Sequence, residues 1–216
     1  MKGIFYKEFE QSYIPEILKE IYKDKIYTRF FRNKKDLTVI DAGGNIGLFT
    51  LYASDYAKKI FTIEPSAQHV EVINQMVDFN GLTDKVTVIQ KAIAMENGTE
   101  EFHHNKNVTM FSLKDVVDDK SSPTEKVETI RFDTLFKDNN ITHVDFLKLD
   151  IEGSEVEVVG GKGFENVADK IDALVVEYHR FSGRNPSQLV TTLTDYGFNV
   201  FPIPSDAMLF GAIRKP

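Results

Sequence analysis

Short apolar runs rich in β-branched residues alternate along the chain with stretches whose apolar residues recur at helical spacing. The first pattern is typical of buried strands, and the second of helices that place one face against a core. Strands are predicted at residues 38–42, 60–64, 86–90, 144–150, 173–179, 198–203 and 208–214. Helices are predicted at residues 46–57, 67–79, 154–161 and 186–196. The alternation predicts an α/β fold with a largely parallel sheet.

The two ends of the chain depart from this simple alternation. Ile14, Ile17, Leu18 and Ile21 fall on one helical face, so residues 1–36 are predicted to form a helical segment that packs on the sheet. The last two predicted strands are separated only by the sequence PSDA, which is too short for a helix. The final strand should therefore return antiparallel beside its predecessor.

One polar, turn-rich stretch interrupts the alternation at residues 97–126, and we predict a hairpin or flap inserted after the third strand. A chain of 216 residues with 42% hydrophobic composition suits one core, so residues 1–216 are expected to form a single domain.

Charge and composition exclude several classes of protein. A formal net charge of -7 argues against the broad basic surface that nucleic acid or anionic lipid attracts, and we expect neither as a partner. The absence of cysteine excludes disulfides and cysteine-based zinc sites. No stretch resembles an export signal or is long enough to span a bilayer, so we expect a cytoplasmic protein.

The turn in VIDAGGNIGLFT follows the first predicted strand, where ligands of open parallel sheets commonly bind. Asp41, Gly43, Asn45 and Gly47 depart from a dinucleotide fingerprint, because Asn45 replaces its second glycine and Asp41 would lie near a pyrophosphate. An acid suits a ligand with an ammonium group instead, and Glu64 after the second strand can accept hydrogen bonds from ribose. We therefore predict a site for S-adenosylmethionine, although each feature alone is also compatible with a purely structural turn.

Charged residues also interrupt two predicted inner strands. An unpaired Lys148 would be costly in its apolar run, and Glu177 interrupts the next run in the same way, so we expect these two side chains to form a structural or catalytic pair. Glu152 and His179 follow the carboxyl ends of the same strands and face the predicted crevice. They are the candidate catalytic residues. Glu155 is expected only to complement the amino terminus of the next helix.

Five motifs follow one another between about residues 37 and 180: VIDAGGNIGLFT, IEPS, FDTLF, VDFLKLDIEGSEVEVVGG and VVEYH. Together and in this order they resemble the FkbM family of class I S-adenosylmethionine-dependent methyltransferases. The resemblance implies a Rossmann-like, seven-stranded, mostly parallel sheet with an antiparallel last strand and helices on both faces. It implies that the cofactor contacts Asp41, Gly43, Asn45, Gly47, Glu64 and Asp150. Glu64 would hold the ribose, and Asp150 would lie by the methionine part.

Methyl transfer to an alcohol requires a base or a metal ion that activates the hydroxyl group. His179 could take the proton directly, whereas Asp150, Glu152 and Glu177 could bind Mg²⁺ or Mn²⁺. The resemblance implies O-methylation of a sugar, glycan or small natural product. Two alternatives stay open: a nucleotide-dependent oxidoreductase on a similar sheet, which Asn45 opposes, and a non-catalytic binding module with this fold.

Overall fold

The structure is a computed structural model that describes residues 2–4, 14–104, 111–112, 124–180, 183–204 and 208–215. The strands among these residues are, in chain order, β1 (Leu37–Ala42), β2 (Ala57–Ile63), β3 (Val86–Ile89), β4 (Ala92–Ile93), β5 (Gly98–His104), β6 (Phe111–Ser112), β7 (Thr124–Ile130), β8 (Phe146–Leu149), β9 (Ala173–Glu177), β10 (Phe198–Ile203) and β11 (Leu209–Arg214). Seven of them form one sheet in the order β10-β11-β9-β8-β1-β2-β3. β11 runs antiparallel to both of its neighbours, and the other pairs in this sheet are parallel. The predicted fold class, with its antiparallel last strand, is therefore confirmed.

Helices cover both faces of this sheet. They are α1 (Ile14–Leu18), α2 (Thr28–Phe31), α3 (Leu48–Ala53), α4 (Ala67–Phe79), α5 (Phe132–Asp138), α6 (Glu155–Gly160), α7 (Lys162–Glu165) and α8 (Pro186–Asp195). Val39 of β1 packs in a core cluster with residues of α1 to α4, while its neighbour Ile40 packs in a second cluster with residues of α5 to α8. Consecutive strand residues point to opposite faces, so β1 contributes to both cores. Among the described residues, no helix has both the length and the apolar character needed to cross a bilayer.

The amino-terminal segment differs from the single helix that the periodicity suggests. α1 continues as a π-helical turn over Lys19–Lys23, and α2 follows after a break. Ile14 and Ile21 are buried as predicted, with 7% and 2% exposure. Residues 1 and 5–13 of this predicted segment lie outside the described part of the chain.

The helix predicted at 46–57 is also shorter in the structure, as α3. Gly47 precedes it in the left-handed conformation, with φ of 82°, and the chain enters β2 at Ala57. α4 has the predicted bounds, because Ser66 caps it by accepting a hydrogen bond from the backbone N–H of His69.

Strands of the predicted insertion join β4, which precedes it, in a second, smaller sheet of order β4-β7-β5-β6. β5 and β7 pair antiparallel from Gly98 with Thr129 to His103 with Thr124, so the paired strands extend beyond the predicted range of 97–126. Residues 105–110 and 113–123, between the paired strands, lie outside the described part of the chain. Phe102 is buried in this sheet and faces the candidate site.

The end of β11 is tied to the body of the protein through Arg214. Its guanidinium donates hydrogen bonds to the backbone carbonyls of Ile171, at 2.8 Å, Tyr196, at 3.1 Å, and Ala168. The same group lies 4.3 Å from the ring centre of Phe198 in β10. These contacts fix the antiparallel pair β10–β11 against the chain that precedes β9.

Candidate active site

The loop between β1 and α3 lies at the carboxyl ends of the parallel strands. Gly43, Asn45 and Gly47 all have positive φ, of 84°, 49° and 82°. A Cβ on Gly43 would lie 1.7 Å from the backbone oxygen of Asp150, so glycine is required because the chain leaving β8 passes directly against this loop. The loop and the end of β8 therefore form one rigid wall.

Two cavities open at this edge of the sheet. The first is lined by Gly43, Asn45, Ile63, Glu64, Pro65, His69, Lys91, Ala92, Ile93, Phe102, Asp150, Ile151 and Glu152. The second has a volume of about 390 Å³ and is lined by Glu16, Ile17, Glu20, Ile21, Tyr27, Gly43, Gly44, Asn45, Ile46, Leu48, Phe49, Lys148, Asp150, Glu152 and Glu177. Gly43, Asn45, Asp150 and Glu152 line both cavities, so they mark the junction where two ligands could meet.

Glu64 follows β2 and is 5% exposed at the wall of the first cavity. Its Oε2 accepts a hydrogen bond from the backbone N–H of Asn45 at 2.8 Å, and its Oε1 accepts one from Ser66 at 2.9 Å. The Nδ1 of His69 lies 3.5 Å from Oε1. The β1–α3 loop and the start of α4 thus fix the carboxylate that the sequence assigns to the ribose.

Asp41 and Gly47 line neither of the two cavities, so the cofactor contacts predicted for these two residues stay predictions. Asp41 is fully buried, and its Oδ2 accepts a hydrogen bond from Thr50 Oγ1 at 2.6 Å. A Cβ on Gly47 would lie 2.6 Å from the methyl carbon of Met76. Both residues stabilise the loop from its buried side. Asp41 is hydrogen-bonded to Thr50 of α3, and Gly47 lets Met76 of α4 pack closely against the loop.

Lys148 connects the loop with the end of β8, and its predicted contact with Glu177 is wrong. Its Nζ donates to the backbone oxygen of Gly43 at 2.9 Å and to Asp150 Oδ2 at 3.0 Å, and lies 3.7 Å from Asp41 Oδ1. Burial on its own would lower the pKa of Lys148, but the carboxylates of Asp150 and Asp41 outweigh burial and raise it. Burial raises the pKa of Asp41 to about 6, against the effects of Lys148 and Thr50.

The structure brings both predicted catalytic residues into one acidic cluster. His179 Nε2 lies 3.3 Å from Glu152 Oε2, 3.8 Å from Asp150 Oδ1 and 3.9 Å from Glu177 Oε1. Glu152 lines both cavities, whereas the ring of His179 lies behind these carboxylates and is 11% exposed. Glu152 also has a positive φ of 54°, an uncommon conformation that costs of order 1–3 kcal/mol and is concentrated at functional sites.

Glu155 is the functional candidate that the sequence analysis missed. It is the first residue of α6 and is fully buried, and its Oε1 lies 2.9 Å from His179 Nδ1. The same oxygen accepts hydrogen bonds from the backbone N–H groups of Ile151 and Gly153. The signal in the sequence was that Glu155 follows β8 after a short turn and that His179 follows the neighbouring strand, β9. The contact depends on how the two strand ends are aligned, which the sequence does not specify.

Three groups of this acidic cluster have raised pKa values. Burial alone would lower the pKa of His179, but the hydrogen bond to Glu155 and the charges of Asp150, Glu155 and Glu152 raise it to about 9. Burial and the charge of Asp150 raise the pKa of Glu152 to about 8, although His179 opposes them. The same two causes raise the pKa of Glu177 to about 7. A cationic ligand at this edge would therefore be favoured and would displace protons.

Asp150, Glu155 and His179 also bring metal-ligand atoms within 4.8 Å of one another. The Glu155 oxygen nearest the ring is already used by two backbone N–H groups and by the imidazole. A site for Mg²⁺ or Mn²⁺ therefore stays a prediction. A second group of this kind within the described residues, at His143, Asp145 and Asp172, precedes β8 and β9 and so lies at the opposite edge of the sheet.

The strand order, the glycine loop after β1 and the acid after β2 define the Rossmann-like fold of the class I methyltransferases. A family model described as the Methyltransferase FkbM domain matches residues 41–200, and the chain belongs to this family. The resemblance in the sequence is confirmed. The chain is therefore a methyltransferase, which excludes the predicted alternative of an oxidoreductase.

Relatives and solved structures agree with this assignment. Methyltransferase sdnD from Sordaria araneosa is 27% identical over 214 residues, which cover 85% of this chain and 82% of that protein. The crystal structure of methyltransferase FkbM from Methylobacillus flagellatus has a TM-score of 0.60 at 15% identity, and the match covers 96% of this chain but only 56% of that one. Magnesium protoporphyrin IX methyltransferase from Synechocystis, solved with bound S-adenosylmethionine, has a TM-score of 0.56 at 13% identity over 99% of this chain and 87% of its own. The two structures support the fold.

Proposed function

We propose that the chain transfers the methyl group of S-adenosylmethionine to a hydroxyl group of a sugar, a glycan or a small natural product. The observation that carries this proposal is the position of the Glu152–His179 pair. Glu152 lines both cavities at their junction, and His179 Nε2 lies 3.3 Å behind its carboxylate. A group that removes a proton is needed for an alcohol acceptor, which is a poor nucleophile while it is protonated.

The residues of the first cavity fit the cofactor. Glu64 offers a fixed carboxylate for the ribose hydroxyls, and Ala92, Ile93 and Phe102 offer an apolar wall for the adenine. Asp150, at the junction, offers a carboxylate for the methionine ammonium. When bound, the cofactor supplies an electrophilic methyl group on a positively charged sulfur, and the thioether that remains needs no proton.

The protein must bind the acceptor, orient it and take its proton. An acceptor in the second cavity would lie between the amino-terminal helices and the β1–α3 loop, in contact with Glu152. The hydroxyl proton passes to the Glu152–His179 pair, and His179 Nε2 can hold it while Glu155 remains bonded to Nδ1. Positive charge beside Asp150 and Glu152 lowers the pKa of His179 from its high value in the free protein, so the ring becomes able to accept this proton.

The proposal is tested first by binding and by the products that form. Titration with S-adenosylhomocysteine in a calorimeter should show binding well below millimolar concentration. Isotope-labelled S-adenosylmethionine is then incubated with a panel of sugars, glycosides and hydroxylated aglycones, together with matched amines. Mass spectrometry should find methyl ethers. Methylated amines alone would replace O-methylation by N-methylation, and cofactor binding without any transfer would refute these acceptor classes.

Two substitutions separate chemistry from cofactor binding. His179→Ala and Glu152→Gln should lower turnover by about 10²-fold or more, the usual contribution of a positioned base, and leave S-adenosylhomocysteine affinity within about threefold. Glu157→Gln is the matched control, because Glu157 lies on the same helix as Glu155 but pairs with Arg184 outside the cluster. Equal losses of affinity and turnover in the two variants would place both residues in the cofactor pocket or the fold.

The metal-dependent form of this reaction makes a different prediction. If Mg²⁺ or Mn²⁺ activates the acceptor, a chelator should abolish turnover and the added ion should restore it, because hard cations prefer carboxylate oxygens. If the Glu152–His179 pair acts without a metal, turnover should be the same before and after chelation.

A further inference from the structure

Glu155 differs from the other carboxylates around His179 in its access to ligands. The side chains of Asp150, Glu152 and Glu177 are 25%, 22% and 29% exposed, and all three line the second cavity. The side chain of Glu155 is fully buried and lines neither cavity. Glu155 can therefore influence the reaction only through the residues that it contacts.

The contacts of Glu155 also fix its orientation. Its Oε1 accepts from the backbone N–H of Ile151 at 3.2 Å and of Gly153 at 3.0 Å, in the turn that carries Glu152. The third neighbour of this oxygen is His179 Nδ1 at 2.9 Å. An ionised carboxylate can only accept hydrogen bonds, so the ring nitrogen that faces it must carry a hydrogen.

We propose that Glu155 is a positioning residue that fixes the hydrogen of His179 on Nδ1 and thereby leaves Nε2, beside Glu152, as the ring nitrogen that takes the acceptor's proton. The inference rests on the proposed function. In the step, the acceptor O–H bond would break and its electron pair would form the new bond to the methyl carbon, while the methyl–sulfur bond would break and leave its electron pair on a neutral thioether. The proton would move through the Glu152 carboxylate to Nε2. Nδ1–H remains bonded to Glu155, which stabilises the imidazolium until the proton leaves to solvent.

The surroundings of the ring support a special role for Glu155. Among the residues that the structure describes, the carboxylates within 4 Å of the His179 ring nitrogens include Asp150, Glu152 and Glu177 on the Nε2 side and Glu155 on the Nδ1 side. Bound cofactor and acceptor would change the hydration of the three cavity-lining groups. Glu155 alone would keep its contact throughout the reaction, as a buried carboxylate that orients a catalytic imidazole must.

Nuclear magnetic resonance of ¹⁵N-histidine-labelled protein with bound S-adenosylhomocysteine tests this inference without any turnover. The chain has 5 histidines, and His179→Gln identifies the signal of interest. Above the ring's pKa, the wild-type protein should show a protonated Nδ1 and an unprotonated Nε2. In Glu155→Gln the amide oxygen can still accept from the two backbone N–H groups, but the charge is lost. The pKa of His179 should then fall by at least about one unit, while Glu157→Gln leaves it unchanged.

The pH dependence of kcat, with an acceptor found in the panel, provides the second readout. Glu155→Gln should lower the plateau by about 10-fold or more and move the acid limb to lower pH, because the ring becomes a weaker base that deprotonates earlier. The KM for S-adenosylmethionine should not change. If Glu155→Gln lowers the plateau of kcat but does not move the acid limb of the pH profile, Glu155 has only a structural role and the inference is overturned.

The outcomes also separate this inference from the proposed function. If the wild-type ring carries its hydrogen on Nε2, or if Glu155→Gln leaves both its tautomer and its pKa unchanged, the role of Glu155 is refuted even in an active methyltransferase. The first of these observations needs no variant, so it holds even if Glu155→Gln fails to fold. If the tautomer is as expected but no hydroxyl compound is methylated, the proposed function fails instead.

Discussion

At the scale of single residues, the carboxylates of this site differ in what their oxygens already contact. Glu64 accepts two backbone hydrogen bonds, Asp41 accepts one from Thr50, and Glu155 accepts two from the turn that carries Glu152. Backbone donors cannot move away as a side chain can, so they hold a carboxylate in place before a ligand arrives. Such preorganisation reduces the cost of ordering the site on binding.

For Glu64 this arrangement predicts a large effect on cofactor affinity. Glu64→Gln should weaken S-adenosylhomocysteine binding by about 1.5–3 kcal/mol, the usual value of hydrogen bonds to a charged group. Titration calorimetry would measure the change, with Glu71→Gln on the exposed face of α4 as the control. Unchanged affinity would restrict Glu64 to fixing the loop and remove it from the ribose site.

Lys148 should matter mainly for stability, because its removal leaves Asp41 buried without its cation. We expect Lys148→Met to lower the free energy of unfolding by about 3–5 kcal/mol at pH 8, as measured with a chemical denaturant. The loss should be smaller at pH 5, because Asp41, with a pKa of about 6, then binds a proton. The double variant with Asp41→Asn should recover part of the stability. An equal loss at both pH values would mean that the charge of Asp41 is not the cause.

At the scale of elements, the sequence predicts the strands well but not their alignment. Apolar runs mark the strands, because a parallel sheet covered on both faces needs them. The predicted contact between Lys148 and Glu177 is wrong because of the strand register. Lys148 lies beside Asp41 on one neighbouring strand and beside Val175 on the other, whereas Glu177 pairs with Leu209. Register depends on packing between distant segments. The contact between Glu155 and His179 was not predicted for the same reason, because it also depends on the register of the strands.

The loop between β1 and α3 permits a matched comparison of two glycines. Both have positive φ, but a Cβ on Gly43 would meet backbone, whereas a Cβ on Gly47 would meet the end of the flexible Met76 side chain. Gly47→Ala should cost about 1–2 kcal/mol of stability, the usual penalty of a left-handed residue with a side chain. Gly43→Ala should cost clearly more, because the chain after β8 must move. Equal midpoints in a denaturant titration would contradict this expectation.

At the scale of the whole molecule, the proton-binding groups of the site should make stability depend on pH. The pKa values of Asp41, Glu177, Glu152 and His179 are raised to about 6, 7, 8 and 9. The folded chain therefore binds more protons than the unfolded chain, so stability falls as pH rises. The contribution of His179 is fully present below its unfolded pKa of about 6.5 and is lost as pH rises through 9.

We expect the free energy of unfolding of the free protein to fall by at least about 2 kcal/mol between pH 5.5 and 8.5, which lowers the Tm of a chain of this size by at least about 4 °C. Differential scanning calorimetry at matched ionic strength would measure the change. The decrease should be smaller in Glu152→Gln, which removes one of the groups responsible. A Tm that is constant or rises over this interval would show that the cluster does not hold extra protons.

The position of β11 between β9 and β10 has a consequence for the order in which the sheet assembles. β10 precedes β11 in the chain, yet its partner in the sheet is β11, so it cannot join the sheet before β11 is in place. Strands that have already formed must wait for a segment synthesised after them, and contacts between distant segments slow folding. During synthesis, the exposed edge of β9 would remain open until Arg214 has left the ribosome, and in that interval the nascent chain would be most exposed to aggregation.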